Sequence, residues 1–294
     1  MPKPLTKKFT MADLRSARAA ERKVPMLTCY DFTTAGLMQQ AGVPALLVGD
    51  SAANVILGCE TTLPVSLAFM IELTAAVRRG APLCLVMGDM PFGSYGGSLD
   101  RGVRNVCRML KRTGCDAVKL EVGESHLPLI RELADTGIAA IAHLGLRPQS
   151  IGLLGGYRFQ GRTAAEGAGI VWLAAQMAEA GAAGILLEAV PPEVSASVIE
   201  TVDIPVIGCG AGPACDGHVF VTHDALGLTP KTPRFVPRLG DLAAPMTEYF
   251  ADYVMRVQSG QYPTPEQCYE MPAAEKARFA EVKIATLSRH ESEE

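Results

Sequence analysis

The sequence predicts an α/β protein: a (β/α)8 TIM barrel with an N-terminal closing helix and a C-terminal helical extension. Three observations predict it. First, apolar runs too short for helices recur along the chain and stop abruptly at a polar residue, most clearly Ala45-Leu46-Leu47-Val48 before Gly49-Asp50-Ser51. Runs of this kind read as parallel strands buried on both faces. Second, most of them alternate with stretches at helical spacing, the pattern of βα units. Third, polar groups end at least five of the runs. That fits a closed barrel, whose strand ends meet on one face, better than a doubly wound open sheet with one switch point.

The chain has 294 residues, a length that one such barrel fills. We expect one domain over 1–294, with the barrel at about 24–242 and the extension at 243–294. Thr10 caps a helix over about 11–22, with Asp13 at the capping-box position. Leu14 and Ala17 share one face of it. It closes the barrel bottom or, alternatively, makes an oligomer contact. Strand one is 25–31 and its helix 33–41. Strand two, 45–50, leads into a long loop, 51–64, that shapes the pocket. A helix at 66–79 precedes strand three, 83–89, and a glycine-rich loop, 90–98. An amphipathic helix follows at 100–113, then strand four at 117–121, a helix at 127–136 and strand five at 138–145. The stretch 146–162 is rich in glycine and aperiodic, and holds Gln149, Tyr157 and Arg162. A loop of that length reads as a lid or binding loop. A helix at 164–180, strand six at 184–190, a helix at 192–202 and strand seven at 205–208 complete the repeat. Strand eight falls roughly at 218–223. The tail is helical over 243–260, broken by Pro263 and Pro265, and frayed past about residue 288.

Net charge is −4, from 27 basic and 31 acidic residues, so neither nucleic acid nor a membrane surface is favoured as partner. Eight cysteines are scattered without CxxC or Cys/His spacing, as expected of reduced thiols in the cytoplasm. The N-terminus lacks an apolar signal core, and Asp13 and Glu21 argue against a mitochondrial presequence.

If the strands close a barrel, Asp50, Asp89, Glu121, His143 and Glu188 meet in one pocket. Three converging carboxylates, Asp50, Asp89 and Glu121, repel unless a cation sits among them, and an all-oxygen set suits Mg2+. Any one of them alone would more simply cap a helix or pair with a basic residue. Lys119 shares the interior face with Glu121. It can bind a substrate carboxylate, form a structural ion pair, or do Schiff-base chemistry. His143 is a pocket hydrogen-bonder or a satisfied core histidine. Glu188 follows four residues without a polar side chain, so burial should raise its pKa as a general base requires; the plainer reading is a salt bridge. Gly208-Cys209-Gly210-Ala211-Gly212 does not fit a dinucleotide fingerprint. His218 and His223 would face opposite sides of a strand and make a poor metal pair.

A series of motifs then resembles the ketopantoate hydroxymethyltransferase family. They include Thr28-Cys29-Tyr30-Asp31, Leu47-Val48-Gly49-Asp50-Ser51, Asp89-Met90-Pro91-Phe92, Val118-Lys119-Leu120-Glu121, His143-Leu144-Gly145-Leu146-Arg147-Pro148-Gln149 and Leu187-Glu188. The matches run in family order over about residues 10–265. The resemblance implies Mg2+-dependent transfer of a one-carbon unit from 5,10-methylenetetrahydrofolate to C3 of 3-methyl-2-oxobutanoate. It implies Asp50 and Asp89 as metal ligands, with Glu121 approaching the ion. It implies Ser51 and Lys119 on the substrate carboxylate, with Asp50 and Asp89 beside the substrate, His143 as a hydrogen-bonder, and Glu188 as the base. It also implies a homo-oligomer, a decamer of stacked rings. The chain departs from the family at Val122, at Leu73, where a histidine is frequent, and in a loop at 228–237 carrying Pro230, Pro233 and Pro237. The rival enzyme reading is a Mg2+-dependent lyase or mutase on another 2-oxo acid, like phosphoenolpyruvate mutase and isocitrate lyase. A non-catalytic barrel subunit is the rival of a different class.

Overall fold

The computed structural model describes residues 3–290, in two compact units, Met1–Gly240 and Asp241–Glu294. The first unit is a closed barrel of eight parallel strands in sequence order: β1 (Val24–Thr28), β2 (Ala45–Val48), β3 (Leu85–Asp89), β4 (Ala117–Glu121), β5 (Ala140–Gly145), β6 (Gly184–Glu188), β7 (Val206–Cys209) and β8 (Gly217–His218). The ring closes where Val24 of β1 pairs with Gly217 of β8.

Side-chain alternation divides the apolar residues into two cores. Leu46, Val86, Val118, Ala142, Ile185 and Val206 point outward into a layer shared with the surrounding helices. Met26, Leu47, Met87, Ile141, Leu186 and Ile207 point inward and fill the barrel. The helix Met11–Ala19 adds Leu14 and Ala17, each 1% exposed, to the inner cluster. It therefore closes the bottom, as the sequence led us to expect. Its capping box of Thr10 and Asp13 forms, and Arg18 donates to Asp216 Oδ2 at 2.6 Å beside the start of β8.

The structure corrects the sequence reading in three places. β8 has only two residues and stops at His218. His223 lies in a helical turn, Thr222–Ala225, so the alternation argument does not apply to it. Beyond β8 one backbone bond, Thr28 N to Phe220 O at 3.3 Å, still reaches β1, and side chains then take over: Thr222 N donates to Thr28 Oγ1 at 2.9 Å and Thr222 Oγ1 to Thr28 O at 2.7 Å. The loop after β5 is not structureless. It opens with a 3-10 turn, Pro148–Ser150, and a helical turn, Ile151–Leu154, that ends at Gly155 in the left-handed region. The tail carries a second long helix, Ala273–His290, after Ala243–Gln258. The expected fraying past residue 288 falls partly on 291–294, which lie outside the described residues.

Within the second unit, Tyr253 packs edge-on against Tyr262 at 5.5 Å, while Tyr249, Phe250 and Met255 of Ala243–Gln258 remain exposed.

Candidate active site

Two residues beyond each inward apolar position, the same alternation turns a polar side chain into the barrel mouth. Met26 leads to Thr28, Met87 to Asp89, Ala117 to Lys119 and then Glu121, Ile141 to His143, Leu186 to Glu188, and Ile207 to Cys209. Asp50 follows β2 after one residue, Gly49. The register pairs Asp89 with Lys119 and Glu121 with His143, so neighbouring strands deliver their polar ends at one level. All of the side chains that the sequence singled out as a pocket therefore gather at the C-terminal end of the barrel, where active sites of this architecture lie.

Their contacts are close. Asp50 N donates to Asp89 Oδ2 at 2.9 Å, which brings the Asp50 backbone against the Asp89 carboxylate, close enough for the Asp50 charge to act on it. The Lys119 ammonium also sits on Asp89 Oδ2, at 2.9 Å, and reaches His143 Nδ1 at 3.2 Å. An ammonium has only donors, so His143 Nδ1 accepts and the ring proton belongs on Nε2. Burial, and then Lys119, hold the His143 pKa well below its usual value, so the ring is neutral. Its Nε2 lies 3.3 Å from Glu188 Oε2 but out of line for a hydrogen bond, and is buried without a partner. Just after β2, Ser51 Oγ meets Tyr30 OH at 2.8 Å.

Charge in this cluster is unbalanced: four carboxylates face one ammonium. Desolvation raises Asp89 to about 8, against the pull of Lys119 and with a push from Asp50. Desolvation likewise raises Glu121 to about 9 and Glu188 to about 7. Burial alone would lower Lys119, but Asp89, Asp50 and Glu121 together push it above its ordinary value, so it stays an ammonium.

One residue whose role sequence reasoning missed ties the cluster together. Gln149, 6% exposed, donates from Nε2 to Asp50 Oδ2 at 2.9 Å and to Met90 O at 3.0 Å, and from its backbone N to Glu121 Oε2 at 2.9 Å. Its Oε1 accepts from Tyr95 OH at 2.8 Å. Its place at the head of a glycine-rich loop and at the end of the motif His143 to Gln149 marked it, but neither signal gave its partners. It consequently screens Glu121, which is 4% exposed and is not among the cavity-lining residues. Asp50, Ser51, Asp89, Lys119, His143 and Glu188 all line one cavity of about 1740 Å³.

The chemistry of the cluster accommodates a divalent ion. Asp89 Oδ1 and Glu121 Oε1 are buried without partners, which leaves acceptor oxygens to spare. Among the described residues no group of three or more His, Cys, Asp or Glu side chains is arranged to hold an ion by itself. Mg2+ does not require that, since it binds through one or two carboxylates with waters and ligand oxygens completing its shell. The adjacent Asp50 and Asp89 are such a pair.

A model of the ketopantoate hydroxymethyltransferase family matches residues 8–265. The chain belongs to this family. Among its relatives, the 3-methyl-2-oxobutanoate hydroxymethyltransferase of Desulfotalea psychrophila is 42% identical over 261 residues, covering 88% of this chain and 94% of that protein. The enzyme of the same name from Frankia alni is 45% identical over 269 residues, covering 90% and 88%. A chain of this family is an enzyme. Among solved structures, a phosphonopyruvate hydrolase in complex with oxalate and Mg2+ shares the fold, with a TM-score of 0.60 and 14% identity over 95% of this chain and 99% of that one. A 2,3-dimethylmalate lyase does so with a TM-score of 0.56 and 17% identity, over 98% and 100%.

Proposed function

We propose that this protein transfers a hydroxymethyl unit from 5,10-methylenetetrahydrofolate to 3-methyl-2-oxobutanoate, giving 2-dehydropantoate for pantothenate and coenzyme A synthesis. The observation that carries this reading is the opposition of two kinds of carboxylate across one cavity. Asp50 and Asp89 stand together at β2 and β3. Glu188 ends β6, diametrically opposite β2 in the ring, with its carboxyl raised to about 7.

Asp50 and Asp89 would hold Mg2+. Bound there, the ion would supply Lewis acidity to the 2-oxo group and offset the charge that builds on its oxygen. The substrate carboxylate adds an anion that Lys119 and Ser51 meet. His143, neutral and carrying its proton on Nε2, offers that N–H to the substrate without adding charge. Glu188 takes the C3 proton, and its raised pKa makes it a stronger base than an ordinary carboxylate while leaving much of it ionised at neutral pH. C3 then forms a carbon–carbon bond to the one-carbon unit; the two carbon–nitrogen bonds that held the unit break, water provides the new hydroxyl oxygen, and tetrahydrofolate leaves with its two nitrogens protonated by the proton taken from C3 and the one released by water. The reading extends to a homo-oligomer in the cytoplasm, without nucleic acid or membrane as partner; no described helix is long and apolar enough to cross a membrane.

The test is deuterium exchange at C3 of 3-methyl-2-oxobutanoate, followed by NMR. Exchange should require Mg2+, stop in EDTA, and fall about 10²-fold or more in Glu188→Gln. Exchange that persists in EDTA would remove the metal, and normal exchange in the variant would move the base elsewhere.

A further inference from the structure

Ser51 does not do what a serine in its position ordinarily does. It heads the helical turn Ala52–Val55, yet its side chain makes no capping bond there, the usual use of a hydroxyl at the start of a helix. A Cβ on Gly49 would lie 2.8 Å from Ser51 Oγ, so the glycine leaves the hydroxyl the place it takes. That place faces two ways. Ser51 lines the cavity beside Asp50, and its Oγ meets Tyr30 OH at 2.8 Å.

Tyr30 stands behind the site. It lies two residues beyond the end of β1, is 3% exposed, and is not among the residues that line the cavity. Its ring packs against the His223 ring, with centroids 5.4 Å apart. The turn that carries His223 is tied to β1 by the two bonds between Thr222 and Thr28. The seam that closes the barrel therefore sets where the phenol oxygen stands.

The direction of the Tyr30–Ser51 bond follows from what each hydroxyl can do. Each has one proton to give and lone pairs to accept with. A buried phenol proton must be placed on an acceptor, and the acceptor at hand is Ser51 Oγ. Thr28 exerts a smaller pull on the phenol, but its Oγ1 already accepts from Thr222 N at 2.9 Å and has a proton of its own to give. Burial holds the phenol pKa above its ordinary value, so Tyr30 keeps its proton. With the phenol donating to Ser51, the serine's own proton is left for an acceptor in the cavity.

We infer that Tyr30 is a positioning residue for the oxo-acid carboxylate: it donates to Ser51 Oγ and so turns the serine proton into the cavity, where the carboxylate accepts it. This rests on the hydroxymethyl-transfer reading and adds to it a residue that touches neither substrate nor metal. Without the phenol the hydroxyl is free to turn back and cap its own helical turn.

The experiment is calorimetric titration of the full-length protein with 3-methyl-2-oxobutanoate in saturating Mg2+, for the parent, Tyr30→Phe, Ser51→Ala and the double variant. A hydrogen bond to a charged group is worth about 10- to 100-fold in affinity. Ser51→Ala should weaken binding at least tenfold and Tyr30→Phe about five- to tenfold. The double variant should bind within twofold of Ser51→Ala, because the phenol acts only through the serine. In turnover, Tyr30→Phe should raise KM by the same factor and change kcat less than twofold, since the carboxylate contact is the same in ground and transition states. Melting midpoints within a degree or two of the parent would establish that the variants are folded; a purely structural tyrosine would lower the midpoint and weaken the Ser51→Ala background as much as the parent. Binding by Tyr30→Phe or Ser51→Ala equal to the parent's, or losses that multiply in the double variant, would overturn the inference while leaving the transfer reading intact. If the parent neither binds the oxo acid nor exchanges its C3 proton, the hydroxymethyl-transfer reading fails and this inference fails with it.

Discussion

Lys119 shows how one side chain acquires its role from its neighbours. The sequence left substrate binding, a structural ion pair and Schiff-base chemistry open. The ammonium lies 2.9 Å from Asp89, and the surrounding carboxylates keep it protonated, so it cannot act as an amine nucleophile at neutral pH. Borohydride added during turnover should therefore trap no adduct, as read by intact mass; a mass gain mapped to Lys119 would contradict this. At Glu188 the pKa of about 7 sets a pH profile. The base must be ionised, so C3 exchange should rise with pH through about 7 and level off above; a rate flat from pH 5 to 8 would mean an unperturbed base. Gln149 is held at both ends by groups that matter to the site. Gln149→Leu would keep the backbone donor to Glu121 but strip Asp50 Oδ2 and Met90 O of the side-chain amide, each costing about 1–3 kcal/mol as an unsatisfied buried acceptor. Mg2+ affinity, measured by titration of the protein alone, should fall along with stability, whereas a purely structural residue would lower only the melting midpoint.

At the scale of elements, the junction of β5 and β6 sets the position of the base. Gly145 ends β5 at φ +86°, opposite Glu188. A Cβ there would lie 2.3 Å from Glu188 O and 2.7 Å from Val190 Cγ1. Gly145→Ala must therefore move the backbone of Glu188 itself, on top of a conformational strain of about 1–3 kcal/mol. We expect about 10²-fold slower exchange with the fold retained. Unchanged exchange would show that β6 tolerates the shift. The residue after the base, Ala189, sits at φ +47° and its carbonyl accepts from Gln160 N at 2.9 Å. One end of the loop after β5 is thus fastened beside Glu188, and the other end, through Gln149, beside Asp50. The strand and helix positions were legible because alternation and helical spacing are local properties. The turns at Pro148–Ser150 and Ile151–Leu154 were not, because glycine-rich segments carry no periodicity.

For the whole molecule, the buried acids couple stability to pH and to metal. Asp89, Glu121 and Glu188 hold their protons to about 8, 9 and 7 when folded, against about 4 in an unfolded chain. A folded pKa above the unfolded one means the native state binds more protons, so metal-free stability should fall as pH rises from about 4 through about 9. A divalent ion relieves the same repulsion and adds RT ln(1 + [L]/Kd), about 2.7 kcal/mol at a hundred times Kd. The Mg2+-induced rise in melting midpoint should consequently be larger at pH 8.5 than at pH 6. Equal shifts at both pH values would place the ion away from these carboxylates.

The boundary between what was written along the chain and what folding added is physical. Strand period, the Thr10–Asp13 cap and the polar residue closing each apolar run depend on neighbours a few positions apart, and from them the barrel and its six candidate side chains with Ser51 follow. Which of those groups touch depends on closure and register. Gln149 and Asp50 are 99 residues apart in sequence, the lysine that settles against Asp89 comes from the next strand, and Glu121 ends up behind an amide instead of in the cavity wall. Contacts of that range carry no local signature; they arise only when eight strands close in one register, and that closure decides which acid faces ligand and which is covered.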